Sequence, residues 1–434
     1  MQKAVMVIGG GIAGIQASLD LANRGFRVHL VEKDPSIGGR MAQLDKTFPT
    51  MDCSICILAP KMIECAHNRN VQLLTYSEVK GVKGSIGNFK VKVLRKPRYV
   101  DERKCNGCGI CAQNCPSEAP NEFDENLGMR KAIYMPFPQA VPRVMVIDKD
   151  NCIECGLCDK VCPADAVDRE QQPEEVELDV GAITVATGFD MFDPSVIPQY
   201  GYGRLKNVIT AMELERILCA SGPTGGHLIR PSDGRIPRNI AFIQCIGSRD
   251  RREWINHPYC SSICCKYAVK DAVLIKEHEP NTVVAIFYID LRAFGRGFQE
   301  FVNRAKSEFG IRFVRSSPGE ISEDSSTSNL VVWFEDPTTR TVQHNSFDLV
   351  VLCPALIPRK GVEELAKILG VELDNYGFFR SADSVRKPLD TNIPGIYACG
   401  YCLGPKTGDV PDSITQGSGT AGRIAEILAV REGP

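Results

Sequence analysis

The chain has 434 residues, 43% of them hydrophobic, with 51 Lys and Arg against 53 Asp and Glu for a formal net charge of −2. That length suffices for about three domains, and the near-neutral balance gives no case for a nucleic acid or an anionic membrane as partner. No apolar run is long enough to span a bilayer, and the glycines and Glu32 near the N-terminus argue against a signal peptide there.

The first stretch, Ala4 to Glu32, reads as strand, glycine turn, helix, strand, acid. Val5-Met6-Val7-Ile8 is a short buried strand. Gly9-Gly10-Gly11-Ile12-Ala13-Gly14 follows, then a helical run through Leu21, then a strand, Arg27-Val28-His29-Leu30-Val31, that ends at Glu32. This fits a dinucleotide fold with Gly9, Gly11 and Gly14 in the fingerprint positions. Gly9 permits the turn, Gly11 lets a pyrophosphate approach, and Gly14 lets helix and strand pack closely. The helix N-terminus offers N–H donors and positive dipole to the phosphates, and Glu32 is placed to bond ribose hydroxyls. The pair Gly38-Gly39, followed by Arg40 and Met41, lets a loop lie against the cofactor and favours FAD over NAD. Lys33, Gly39, Arg40 and Met41 join the candidate cofactor contacts.

Cys53-x-x-Cys56, with Cys65 further on, leaves three readings open: a redox disulfide beside the flavin, ligation of a cluster, or plain buried thiols. Cys53 and Cys56 are carried forward as candidate ligands of an additional cluster. Asn88 to Arg95 alternates as a strand with one polar face.

Cys105-x2-Cys108-x2-Cys111-x3-Cys115-Pro116 is an iron–sulfur motif, and Cys152-x2-Cys155-x2-Cys158-x3-Cys162-Pro163 is a second. Paired runs of this kind make a two-cluster ferredoxin module in which the fourth cysteine of each run, here Cys115 and Cys162, crosses to the other [4Fe-4S] cluster. Gly107, Gly109 and Gly156 keep the loops compact. Lys104 and Asp101 flank the first run, Asp148 and Asp150 the second, so no basic docking face is expected. Most of the nineteen cysteines fall in such clusters, which implies an intracellular, reduced, cytoplasmic setting, with any membrane attachment made through partner subunits.

Val176 to Gly188 is expected as one strand closing on Ala186-Thr187-Gly188, which places the ferredoxin module as an insertion in the FAD domain. Asn239-Ile240-Ala241-Phe242-Ile243 is a strand where a nicotinamide domain would begin. No glycine fingerprint follows. Gln244-Cys245-Ile246-Gly247-Ser248-Arg249-Asp250 comes instead, then Tyr259-Cys260-Ser261-Ser262-Ile263-Cys264-Cys265, a helix from Lys266 to Glu277 and a strand from Val283 to Ile289. With the phosphate turn replaced by thiols there is no good seat for a pyrophosphate. Cys245, Cys260, Cys264 and Cys265 can hold a third [4Fe-4S] cluster, of unusual geometry because Cys264 and Cys265 are adjacent. His257 is read as a loop residue. Strands at 330–334 and 348–353 close this domain. The final segment runs from Gly395 through Cys399-Gly400-Tyr401-Cys402 to Asp412-Ser413-Ile414-Thr415-Gln416 and a helix to Leu428; Gly400, Ser413 and Gln416 are candidate flavin contacts. Tyr401 stands where flavoproteins with two dinucleotide domains usually carry an aspartate. Cys399 and Cys402 are open between ligation and packing. No Ser-His-Asp set, paired-carboxylate site or P-loop stands out.

These residues, with Asp52-Cys53-Ser54-Ile55-Cys56, Pro60-Lys61-Met62, Cys245-Ile246-Gly247-Ser248-Arg249-Asp250, Gly404-Pro405-Lys406 and Pro411-Asp412-Ser413, carry a resemblance to the A-type subunit of heterodisulfide reductase and its bacterial relatives, over nearly the whole chain. The resemblance implies FAD in a thioredoxin-reductase-like core, an inserted ferredoxin, an irregular cluster at the Cys245 set and flavin-based electron bifurcation within a larger complex. It implies a place near the flavin N5 for Lys270, where a cation would stabilise negative charge on the ring. It departs from the full-length archaeal pattern at both ends, where an N-terminal domain and a C-terminal ferredoxin are expected to be missing, so one exit wire is expected from another subunit. Short forms resemble flavoprotein subunits of quinone-interacting complexes and of the complex linked to benzoyl-CoA reductase.

The expected fold is therefore α/β, a two-dinucleotide-binding-domain flavoprotein with an inserted two-cluster ferredoxin. Its expected parts are FAD domain at 1–98, 173–236 and 355–434, ferredoxin module at 99–172, and a degenerate nucleotide domain at 237–354 carrying the cysteine cluster. The expected function is an oxidoreductase subunit of anaerobic metabolism that passes electrons between other subunits of a multi-subunit complex, B/C-type or hydrogenase- and dehydrogenase-linked, and ferredoxin. The alternatives are an NAD(P)H-dependent iron–sulfur flavin oxidoreductase, a non-bifurcating subunit of a quinone-interacting complex, and a scaffold whose clusters only hold partners.

Overall fold

The computed structural model describes residues 3–405 and 409–430; Lys406, part of the resemblance, lies outside the described residues. The chain forms two compact units, Met1–Ala42 with Ile55–Phe189 and Pro358–Pro434, and Gln43–Ser54 with Asp190–Ile357. Among the described residues no helix is long and apolar enough to cross a membrane.

The first unit is built on a five-stranded parallel sheet in the order Ile396–Ala398, Ala182–Val185, Ala4–Ile8, Arg27–Val31, Val71–Leu74. Ala4–Ile8 is central and buried along its length. That is why it reads as a continuous apolar run, and each fully buried Val or Ile there contributes about 1.5–3 kcal/mol. Helix Ile12–Asn23 follows its turn and packs on helix Val410–Val430. Beside this sheet lies an antiparallel one, Glu174–Val180, Asn88–Arg95, Ser77–Ser85. Phe89, Val91 and Val93 point inward from Asn88–Arg95 and the residues between them are exposed, as the alternation predicts.

The run from 176 to 188 is not one strand. Glu174–Val180 alternates and joins the antiparallel sheet, whereas Ala182–Val185 is wholly buried and joins the parallel one. The chain changes sheet at Gly181, whose N–H donates to Ala4 O at 2.7 Å. Between Arg95 and Glu174 sits the cysteine-rich insertion. It has two small hairpin-like pairings, Glu118–Pro120 with Met129–Lys131 and Ile133–Tyr134 with Val146–Ile147, and two short helices, Ile110–Gln113 and Leu157–Val161. Its own small core gathers Val100, Ile133, Val144, Met145 and Ile147 around the cysteines.

The second unit repeats the parallel plan in the order Val208–Thr210, Leu349–Pro354, Asn239–Ile246, Val283–Phe287, Arg312–Val314. A three-stranded antiparallel sheet, Glu320–Asp324, Asn329–Asp336, Thr341–Phe347, completes it. Helix Cys264–His278 connects Asn239–Ile246 to Val283–Phe287 and starts two residues before the predicted Lys266. Both adjacent cysteines therefore stand in its first turn.

The division differs from the sequence expectation in two places. Residues 190–236 belong to the second unit, because Val208–Thr210 pairs with Leu349–Pro354 and helix Ala211–Leu218 is fastened there by a capping box between Thr210 and Glu213. Residues 43–54 belong to it as well. Phe48 meets the rings of Phe298 and Phe301 edge-on at 4.8 and 5.1 Å, and Arg216 Nη1 donates to Gln43 O at 2.8 Å.

Candidate dinucleotide and iron–sulfur sites

In the first unit the chain leaves the buried strand at Ile8 and turns at Gly9, whose φ of +108° suits glycine. A Cβ on Gly9 would lie 2.4 Å from Ala186 O, and one on Gly14 would lie 1.9 Å from Gly9 O. Gly11 caps helix Ile12–Asn23 with no side-chain bond, and nothing lies within 4 Å of the place its Cβ would take. The start of the helix is thus uncrowded at Gly11 and uncapped by a side chain. Glu32 is buried at the end of the next strand. Its Oε2 accepts from Gly10 N–H at 2.6 Å and its Oε1 from Asp34 N–H at 2.9 Å. Burial pushes the Glu32 carboxyl up and Asp34 adds to that, while Arg359 and the two N–H groups pull it back.

Alongside lies a cavity of about 320 Å³ lined by Gly9, Glu32, Lys33, Thr187, Arg359 and Lys360 among others, on the scale of a small-molecule site. Two buried polar atoms on its wall, Thr187 Oγ1 and Arg359 Nε, have no hydrogen-bond partner. Arg359 is anchored by Nη2 donating to Asp34 Oδ2 at 3.0 Å and Nη1 to Thr187 O at 3.4 Å. Unspent donors and a glycine turn that leaves room for phosphate suit a dinucleotide. Arg359 was not legible as a site residue, since no motif surrounds it. Ala186, Thr187 and Gly188 follow strand Ala182–Val185 into the same turn.

The Gly38-Gly39 loop lies on the glycine turn through Gly38 N–H to Gly10 O, 2.7 Å, and continues as the helical turn Gly39–Gln43. Arg40 is ion-paired with Glu125 at 3.0 Å, and Met41 is buried in the core with Leu58, Met62 and Phe137. Gly400, Ser413 and Gln416 come together: Gly400 N–H donates to Gln416 Oε1 at 2.7 Å, and a Gly400 Cβ would meet Ala13 Cβ at 3.0 Å. Tyr401 is buried with its ring edge-on to Phe189 and Phe378. Cys399 and Cys402 are buried too. Cys402 Sγ donates to Cys399 O at 3.2 Å and Val185 O at 3.4 Å, and burial pushes its thiol up to about 12, as inert packing requires. Cys65 is likewise pushed up to about 12 by burial. Cys53 and Cys56 are both disulfide-bonded, while the other 17 cysteines are free.

In the insertion the two runs interleave. One cavity is lined by Cys105, Cys108, Cys111 and Cys162, the other by Cys115, Cys152, Cys155 and Cys158. Each takes three thiols from one run and the fourth from the other. The N-termini of the short helices begin at Gly109 and Gly156, both with positive φ. Among the described residues no three His, Cys, Asp or Glu side chains close on one point as a single ion requires. The thiols instead surround apolar cavities with Val100, Ile133 and Ile147 in their walls, an arrangement that suits a bulky inorganic cluster.

In the second unit strand Asn239–Ile246 carries Cys245 as its penultimate residue, at φ +63°, a left-handed conformation rare outside glycine, where the pairing register shifts. Cys245 is raised to about 12, first by burial and then by Cys265 and Cys260. Cys264, fully buried, feels Cys245, Cys265 and Cys260 in addition to its burial. The four thiols therefore share one neighbourhood, with Cys264 and Cys265 in the first helical turn, where the helix dipole favours thiolate. Ser262 N–H donates to Cys260 Sγ at 3.4 Å, and Cys265 Sγ donates to Gln244 Oε1 at 3.1 Å. Cys353, near the end of strand Leu349–Pro354, is a further thiol in the same field and is buried. His257 bonds Gly247 O through Nδ1 at 3.1 Å in the loop.

Farther along the same helix Lys270 is 2% exposed. Its Nζ is ion-paired with Glu215 and with Asp271 Oδ1, the latter at 2.7 Å. Burial works against its charge, but Asp271 and Glu215 outweigh it and hold the ammonium above its usual range. Asp271 is pushed well up by burial and then by Glu215. Asp45 N–H donates to the other oxygen of Glu215 at 3.0 Å. One buried cation thus stands between two buried carboxylates. Neither acid was singled out from the sequence: Asp271 is the next residue of the same helix, and only the fold brings Glu215 to Lys270.

Comparison with known proteins agrees with this geometry. Residues 104–167 match the 4Fe-4S dicluster domain family and residues 7–60 the NAD(P)-binding Rossmann-like domain family. The structure resembles thioredoxin reductase from Lactococcus lactis with a TM-score of 0.55 at 17% identity, over 98% of this chain and 99% of that one. The class is therefore a thioredoxin-reductase-like α/β protein with two dinucleotide-type domains and an inserted 4Fe-4S dicluster domain. The chain is 56% identical to an A-type iron–sulfur subunit of the CoB–CoM heterodisulfide reductase of Methanopyrus kandleri over 98% of its own length. It is 53% identical to the A-type subunit of the H2:CoB-CoM heterodisulfide,ferredoxin reductase of Methanothermobacter marburgensis over 97%. It spans 64% and 63% of the lengths of those two relatives. Along nearly its whole length the chain is thus similar to heterodisulfide reductase A-type subunits.

Proposed function

We propose that the chain is an electron-transfer oxidoreductase subunit that binds FAD in the first unit and three [4Fe-4S] clusters, and that works inside a heterodisulfide-reductase-like complex. When bound, FAD would handle electrons in pairs and the clusters would carry them singly. The observation that carries the reading is the gathering of Cys245, Cys260, Cys264 and Cys265 at the strand-to-helix turn that a nicotinamide domain reserves for phosphate. Four thiols at a helix N-terminus, with Cys264 and Cys265 buried and Cys245 and Cys260 half-buried, suit iron and leave no seat for a pyrophosphate.

Gly9, Gly11 and Gly14 admit the FAD pyrophosphate, Glu32 orients the ribose, and Arg359 and Thr187 supply the donors that their cavity leaves unspent. Within the second unit Glu215 and Asp271 keep Lys270 protonated, the charge state that the resemblance asks of it. Electron bifurcation belongs to this reading through the family, as do B/C-type or hydrogenase- and dehydrogenase-linked partner subunits and ferredoxin, which relatives carry in their names.

The test is an anaerobic titration of the purified, cofactor-loaded chain, followed by flavin absorbance. Reduced ferredoxin should bleach the flavin, and NADH or NADPH should neither bleach it nor bind below the millimolar range. Tight nicotinamide binding, or flavin reduction by NADPH at rates matching ferredoxin, would overturn the reading.

A further inference from the structure

The two cavities of the insertion differ in what touches their sulfurs. Neutral backbone donors reach sulfurs in both: Ala166 N–H to Cys162 Sγ at 3.3 Å and the Ala112 N–H to Cys111 in one, Glu154 N–H to Cys152 Sγ at 3.4 Å in the other. The second cavity has something more. Arg169 Nη2 donates to Cys158 Sγ at 3.2 Å, and Arg169 lines that cavity. Among the described residues no side chain donates to the sulfur of Cys105, Cys108, Cys111 or Cys162. Arg169 is aimed by Asp159, whose Oδ2 and Oδ1 accept from Nε at 2.9 and 3.2 Å, so the outer nitrogen is left to face the sulfur.

A guanidinium on a cluster thiolate is a charge-assisted hydrogen bond, and it withdraws charge from the sulfur. Reduction adds an electron to a cluster that is already negative, so a cation at hydrogen-bond distance stabilises the reduced form and raises the potential. Asp159 acts in the opposite sense. Its Oδ1 lies 3.7 Å from Cys158 Sγ, and once that sulfur is bound to iron as a thiolate it has no proton to share with the carboxylate. The guanidinium is nearer and directly bonded, so its effect prevails.

We propose that Arg169 is a potential-setting residue: it makes the cluster held by Cys115, Cys152, Cys155 and Cys158 the more oxidising of the two, and so gives electrons in the module a preferred resting place. This rests on the reading of the two cavities as [4Fe-4S] seats. Arg169 touches one sulfur and none of the other set, so the offset is local to one cluster.

The test is an EPR-monitored redox titration of the cofactor-loaded full chain and its R169Q and D159N variants, with the two waves assigned through Cys155→Ser and Cys108→Ser. R169Q should lower the midpoint of the Cys155-linked wave by at least tenfold in the reduced-to-oxidised ratio, 59 mV for a one-electron couple, and move the other wave by less than a third of that. D159N, which keeps an oxygen for Arg169 to bond, should move the same wave upward. If R169Q fails to hold iron, D159N decides alone. Two waves that ignore both substitutions, that shift together, or that shift with the opposite signs would overturn the Arg169 proposal. Absence of a pair of [4Fe-4S] signals in the unsubstituted chain would overturn the reading of the cavities, and this proposal with it.

Discussion

The turns that follow Ile8 and Ile246 stand on one scaffold and have diverged in chemistry. Both leave a buried central strand of a parallel sheet and lead to a helix that packs back on it. In the first unit the turn is glycine, the helix start is uncrowded and uncapped by a side chain, and the nearby cavity keeps unspent donors on Thr187 and Arg359. In the second the turn is long and its charge-seeking helix N-terminus carries Cys264 and Cys265, with Cys245 and Cys260 brought beside them. The same positive dipole that draws phosphate to one turn favours thiolate at the other. A fold thus sets where negative charge is welcome, and the turn residues choose between an organic phosphate and an iron-bound sulfur.

The largest effect that sharpens this contrast is the loss of a whole cofactor from one turn only. Cys264→Ser should lower the iron content of the chain by about four atoms, one [4Fe-4S] equivalent, while flavin stays bound. Gly14→Val should do the reverse, because its side chain would be driven into Gly9 O; flavin content should fall more than tenfold with iron retained. Simultaneous loss of both cofactors from either variant would break the separation of the two turns.

The next effect concerns the buried ion set of the second unit. Lys270→Met leaves Glu215 and Asp271 without their cation and should cost about 3–5 kcal/mol of stability, read as a fall in Tm. Adding Glu215→Gln should recover part of that loss. Asp271 also predicts a pH dependence. Its folded pKa is raised, so the folded chain binds a proton that the unfolded chain releases, and its contribution to stability is complete below about pH 4 and is lost as pH rises toward the folded value. Asp271→Asn should flatten the decline of Tm with rising pH. Smallest is Arg359→Ala, which removes a charged donor from the dinucleotide cavity and should weaken FAD by about tenfold, or 1.4 kcal/mol.

Spacing made the cysteine runs and the glycine turn legible, because their chemistry fixes residues a few positions apart. The interleaving of Cys115 and Cys162 follows from the same rule. What spacing could not carry was tertiary burial. Glu215 and Arg359 sit in unremarkable stretches and meet Lys270 and Asp34 across tens to hundreds of residues. Arg40 and Met41 were legible as candidate cofactor contacts beside a glycine pair; the bond from Arg40 to Glu125 and the packing of Met41 in the core were not, because both partners are distant in sequence. The C-x-x-C of Cys53 and Cys56 suits a disulfide and a cluster equally, because the spacing serves both chemistries. The strand break at Gly181 was hidden because an alternating strand and a buried strand follow each other without a turn signal.

The most direct test is a count of iron and acid-labile sulfide in the purified full chain, read with Mössbauer spectra before and after Cys260→Ser. Three clusters predict about twelve irons per chain, with about four lost and the remaining spectrum unchanged on substitution. About eight irons, unaffected by Cys260→Ser, would contradict the claim that thiols hold iron where a nicotinamide domain holds phosphate.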